Sequence, residues 1–91
     1  VVEESPAEEL LKFPVAYPIK VVGRRGEMTR ADIDSIVRRF APDLTDAQIK
    51  ERESTQHHFL SITYTITAQS KEQIVGLAHA LKAAKGVIML I

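Results

Sequence analysis

Between Phe59 and Ala68 the chain alternates. Leu60, Ile62, Tyr64, Ile66 and Ala68 are apolar or aromatic, and Ser61, Thr63, Thr65 and Thr67 fall between them. A period of two with β-branched residues throughout predicts a half-buried strand. Because the polar positions carry hydroxyls rather than charges, the strand fits an interior place in an antiparallel sheet covered on one side. Val15 to Gly23 predicts another strand, with Tyr17, Ile19 and Val21 on one face and Pro18, Lys20 and Val22 on the other. Pro18 lacks a ladder donor, so it is expected where pairing starts or beside a bulge. Residues 47–54 read as a strand whose charged positions, Lys50 to Glu53, suit a sheet edge. Val87 to Ile91 is apolar at every position and predicts the last strand.

Two segments carry the helical period instead. Ile33, Ile36, Val37 and Phe40 recur at i, i+3, i+4 and i+7, which lays one stripe on the core and turns Arg30, Asp34 and Arg38 to water. Thr29 followed by Asp32 caps its start, and Ala41-Pro42-Asp43 stops it. Ile74, Leu77, Ala78 and Leu81 form the second stripe, opened by a Ser70–Gln73 capping box and ended near Ala84, with Gly86 as the left-handed stop. A short helix from Pro6 through about Lys12, capped by Ser5 and closed by Phe13-Pro14, precedes the first strand. The expected organisation is therefore an amino-terminal extension over residues 1–14 and one domain over residues 15–91.

The order strand, helix, strand, strand, helix, strand is the split β-α-β arrangement of ferredoxin-like folds. The fold class expected is α+β, a βαββαβ sandwich with two helices on one face of a four-stranded antiparallel sheet. Right-handed crossovers put the first and third strands in the middle and the second and fourth at the edges.

Composition narrows the function classes. At 91 residues there is room for one core, and 45% hydrophobic with 26% charged residues is ordinary for a globular chain. Twelve Lys and Arg balance twelve Asp and Glu, so the broad basic field of a non-specific nucleic-acid binder is not expected. The chain has no cysteine, hence no disulfide, thiolate metal site or cysteine nucleophile. No apolar run reaches membrane length and no signal-peptide pattern opens the chain, so no membrane role is expected and the cytoplasm is the expected location.

Leu10-Leu11-Lys12-Phe13-Pro14, then Tyr17, then Lys20-Val21-Val22-Gly23 together resemble the opening of the YbeD-like family of small bacterial proteins. Members carry Leu-Leu-x-Phe-Pro, an aromatic residue and Lys-Val-x-Gly. Ala41-Pro42 and Ser61-Ile62-Thr63 are similar to the family as well, so the match runs over nearly the whole chain from Leu10. The Gly23-Arg24-Arg25-Gly26 turn departs from that pattern. The resemblance implies a single-domain cytosolic protein with a fold like the ACT regulatory domains of amino-acid metabolism, and it brings no catalytic residue with it.

Candidate chemistry is sparse. An acylphosphatase-like enzyme would hold phosphate with an arginine after the first strand, where Arg24 and Arg25 stand, but that design uses an asparagine and the chain has none. An RNA-recognition module would stack bases on aromatics of the two central strands, and alternation leaves only Phe59 on that face. His57, His58 and His79 have no metal-ligand spacing, so no metal or other cofactor is expected. The residues left as anion ligands are Lys20 on the open face, with Gly23, Arg24, Arg25 and Arg30 around the start of the first helix, where backbone donors also favour anions. Val22, Phe59, Val87, Met89 and Ile91 form the expected interface, because an apolar edge strand calls for a cover, either a second copy, the favoured one, or the segment around Leu10, Leu11 and Phe13 folded across the sheet. The reading is a non-catalytic regulatory module sensing an amino acid or small anionic metabolite; the alternative is a protein-interaction adaptor.

Overall fold

The computed structural model describes residues 12–54, 56 and 58–91. The helix expected from Pro6, together with Leu10, Leu11 and His57, lies outside the described residues. The elements run β1 (Val15–Arg24), α1 (Arg30–Phe40), a 3-10 turn (Asp46–Gln48), β2 (Ile49–Glu53), β3 (Phe59–Ala68), α2 (Lys71–Lys82) and β4 (Val87–Leu90). The strands form one sheet in the order β2-β3-β1-β4, and every neighbouring pair is antiparallel. This is the expected α+β ferredoxin-like arrangement.

The alternation along β3 decides which face is core. Ile62, Tyr64, Ile66 and Ala68 are fully buried, whereas Ser61, Thr63, Thr65 and Thr67 are half-buried on the opposite face. Ile33 and Val37 of α1 and Leu77 and Leu81 of α2 complete the same core, as their helical spacing predicts. Thr29 caps α1 by accepting from the Asp32 N–H at 3.2 Å, and Ser70 caps α2 by accepting from Gln73 at 3.1 Å. The Gln73 carbonyl oxygen accepts from Gln69 rather than from the cap, and its amide donates to the Phe40 carbonyl at 2.7 Å, which ties α2 to the end of α1. Gly86, at φ 82°, makes the left-handed turn into β4.

Pro18 sits in the middle of β1, opposite Thr65. Lys20 exchanges backbone hydrogen bonds with Ile91 at 3.2 and 2.9 Å, so residues of that parity face β4. Pro18 shares the parity but lies beyond the last paired position of β4. Its missing donor therefore leaves no ladder bond unmade.

Four expectations change. Residues 46–48 are a turn rather than strand, because the Gln48 side chain accepts from the Thr45 N–H at 2.7 Å and donates to the Thr65 carbonyl at 3.0 Å. Asp34 and Arg38 do not simply face water: Arg38 donates to the Leu44 carbonyl at 2.7 Å, and Asp34 accepts from the Tyr64 hydroxyl. Val87 does not share a face with Met89. Register shifts between Val22 and Gly23, pairing Met89 with Val22 and Val87 with Gly23, so Ile88 is an extra residue and Val87 packs against the core. Finally, Met28 and Leu44, which no periodicity marks, are buried at 2% and 5% exposure.

Tyr64 begins a polar chain through the protein's flank. Its hydroxyl donates to Asp34, Arg30 reaches Asp34 at 3.2 Å, and Arg30 also reaches Glu51 at 3.0 Å, linking β3, α1 and β2. Burial holds the phenol above its ordinary value of 10.0, with the hydrogen bond to Asp34 and that carboxylate's charge adding to it. Glu51, and then Asp34, raises the Arg30 guanidinium too.

Replacing Ile62 with alanine is expected to cost about 2–5 kcal/mol in urea melts, out of a total of about 5–15 kcal/mol for a domain of this size. A change below about 0.5 kcal/mol would place Ile62 in solvent and reverse the strand parity. Tyr64→Phe removes one hydrogen bond, at a cost of about 1–2 kcal/mol near neutral pH. Since the folded phenol is raised above 10.0, its contribution is complete below pH 10 and is lost as pH climbs past it. The parent should thus lose stability above pH 10 more steeply than Tyr64→Phe; parallel curves would contradict the buried hydrogen bond.

Candidate functional site: the open face of the sheet

Directly paired residues of an antiparallel sheet share a face, so the register assigns every side chain. Lys50 pairs with Thr63 and Thr63 with Lys20; Arg52 pairs with Ser61 and Ser61 with Val22; Phe59 pairs with Arg24. These three rows, about 7 Å apart along the strands, occupy the face away from the helices. Toward the other end the rows are neutral, Thr65 with Pro18 and Thr67 with Ala16. Four cations, Lys20, Arg24, Lys50 and Arg52, thus gather on one half of the open face.

The carboxylates of β2 go the other way. Ile49, Glu51 and Glu53 pair with Tyr64, Ile62 and Leu60, all core-facing positions. At the helix-side rim Glu51 forms an ion pair with Arg30, and Glu53 forms one with Arg25. The alternation Lys50-Glu51-Arg52-Glu53 therefore separates charge across the sheet, and a chain of zero formal charge presents a basic face.

The expected anion ligands divide accordingly. Lys20 and Arg24 stand on the open face. Arg25 and Arg30 meet carboxylates instead, so the arginine turn and the start of α1 do not gather free cations around one point. Gly23 is buried, and a Cβ there would come within 2.3 Å of the Met28 sulfur; a Cβ at Gly86 would come within 2.4 Å of the Met28 backbone N. Both glycines make room for the turn between β1 and α1. Among the expected interface residues, Val22 and Met89 share the basic face by register, Ile91 pairs with Lys20 beside them, and Phe59 closes the third row.

Lys50 and Arg52 are the site residues that the chain's own pattern does not single out. The signal is present in the alternation of residues 50–53, but its meaning depends on which parity pairs with Thr63. An open groove of about 450 Å³ is lined by Lys20, Lys50, Glu51, Arg52, Ser61 and Thr63, and an adjoining hollow continues past Val22 and Glu53 to Phe59. A further hollow of about 600 Å³ lies at that end, lined by Arg24, Arg25, Gly26, Glu27, His58 and Phe59. The Phe59 ring meets the His58 ring edge-on at 6.5 Å and 67°.

Among the described residues no three His, Asp or Glu side chains are grouped to hold a metal ion, and no helix is long and apolar enough to cross a membrane. Residues 8–91 match a family described as "Protein of unknown function (DUF493)". A UPF0250 protein of Nitrosomonas europaea is 36% identical over 84 residues, covering 92% of this chain and 97% of its own. A UPF0250 protein of Shewanella loihica is 40% identical over 84 residues, 92% and 93% of the two chains, and one of Hahella chejuensis is 36% identical over 81 residues, 89% of each. With the expected fold in place and similarity along almost its full length, the chain belongs to the DUF493 (UPF0250) family of small bacterial proteins, consistent with the YbeD-like motifs at its start.

Proposed function

We propose that this protein is a cytoplasmic, non-catalytic binding module that takes an anionic ligand on the open face of its sheet and acts as a regulatory sensor in the manner of ACT-like domains. The observation that carries the reading is the engagement of the nearby carboxylates: Lys20, Lys50 and Arg52 share a groove with Ser61 and Thr63, while Glu51 and Glu53 at its edge are paired with Arg30 and Arg25. Cations whose neighbouring carboxylates are engaged by other arginines attract anions, and the Thr63 hydroxyl adds direction, while the Ser61 hydroxyl donates to the Arg52 carbonyl at 3.3 Å. One feature of the same layout supports a non-catalytic role. The polar pair most deeply placed, Tyr64 with Asp34, lies across the sheet from the groove, and its phenol is held protonated.

A protein-interaction role has one observation in its favour. Ile88, Met89 and Ile91 are 43%, 50% and 70% exposed along β4, and β4 is an edge of the sheet. Apolar side chains beside unpaired backbone donors favour strand-to-strand pairing of two copies. A homodimer joined there would leave the basic groove free, so the two readings are compatible.

Thermal melts with pyrophosphate, citrate and aspartate test the anion reading. A ligand at ten times its Kd adds about 1.4 kcal/mol, which for a domain of this size raises Tm by at least about 5 °C. The rise should vanish in Lys20→Gln with Arg52→Gln and persist in Arg39→Gln, which alters an exposed cation on α1. No shift with any of the three, or equal shifts in the groove variant and the parent, would refute the reading and leave only general salt exclusion.

A further inference from the structure

We propose that the anion received by the open face is a single-stranded nucleic acid, with phosphates on Lys20, Lys50, Arg52 and Arg24 and a base stacked on Phe59. The proposal rests on the anion-binding reading above and names its ligand class. Three features carry it, and the first is extent. The cations occupy three rows spanning about 14 Å along the strands, farther than a single phosphate reaches. The groove is also open along the sheet, whereas sites for small molecules enclose most of the ligand's surface. A long, flexible polyanion fits that shape.

The second feature is the aromatic. Phe59 is 40% exposed, stands in the row with Arg24, and lies in a T-shaped arrangement with the His58 ring, centroids 6.5 Å apart. An exposed ring among cations that track a backbone is the pairing on which unpaired bases bind without sequence preference. An acidic peptide would use the cations and leave the ring without a planar partner. The third feature is accessibility of the bases themselves. A duplex keeps its bases stacked inside, so only a single strand brings a base face to Phe59. The zero formal charge does not oppose this, because Glu51 and Glu53 at the groove's edge are engaged by Arg30 and Arg25.

Fluorescence anisotropy on the full chain decides, using labelled ten-nucleotide oligouridylate and oligothymidylate, a hairpin duplex and a ten-residue polyglutamate, with unlabelled tripolyphosphate measured by calorimetry. The single strands should bind saturably at low salt, with log K falling linearly in log salt. Phe59→Leu should weaken them by at least about five-fold, as loss of a base–aromatic stack does, and leave tripolyphosphate affinity unchanged. Arg52→Gln should reduce the salt slope by about 0.7, one phosphate contact on a single strand, and Arg39→Gln should change nothing. Equal or tighter binding of the duplex or polyglutamate, indifference to Phe59→Leu, or no oligonucleotide binding would each overturn the proposal. If the oligonucleotides fail while tripolyphosphate binds through Lys20 and Arg52, the ligand class falls and the anion reading stands. If tripolyphosphate fails too, both fall.

Discussion

The structure depends on one constraint: β3 has a period of two and is buried on one side only. Leu60, Ile62, Tyr64, Ile66 and Ala68 take the core side, so both helices must close over that face, and no element among the described residues covers the other. β3 lies between β1 and β2, so its parity is imposed on both by register. A slip of one residue would move Lys50 and Arg52 under the helices and expose Ile49, and the burial of Tyr64 against Asp34 opposes any such slip. The same constraint that makes the core thereby makes the basic face.

Charge follows from parity rather than from composition. Arg24, Arg25 and Arg30 are close in sequence and look like one anion-binding cluster near a helix start. In space two of them are met by carboxylates of β2, over twenty residues further along the chain, and the third joins Lys20, Lys50 and Arg52 across the sheet. A neutral total can therefore conceal a strongly polarised sheet. The carboxylates of β2 are held in ion pairs with Arg25 and Arg30, and the open side holds cations with hydroxyls and an aromatic. Substitutions on the two sides should separate stability from binding, because Lys20, Arg52 and Phe59 contribute little to the core.

Most of the fold was legible in the chain. Period two in β1 and β3, period 3.6 in both helices, and the caps Thr29 and Ser70 are local signals, and local signals survive without tertiary context. What was not legible depends on contacts distant in sequence. Met28 is buried because Gly23 and Gly86 open a notch for it; Asp34 turns inward because a phenol waits on β3; and the extra residue at Ile88 exists only in the pairing of β4 with β1. Of the candidate site, Lys20 was readable from alternation in β1. Lys50 and Arg52 were not, since a strand of alternating charge does not announce which sign faces inward until its register with β3 is known.

The proposed ligand surface is the three-row basic half of the open face. Backbone amide shifts recorded by NMR during titration of the isotope-labelled protein with pyrophosphate map that surface residue by residue. The account predicts shifts grouped at Lys20, Lys50, Arg52, Ser61 and Thr63, with Thr65, Thr67 and both helices unmoved. Shifts centred instead on residues 25–32 at the start of α1, or spread evenly over the chain, would contradict it.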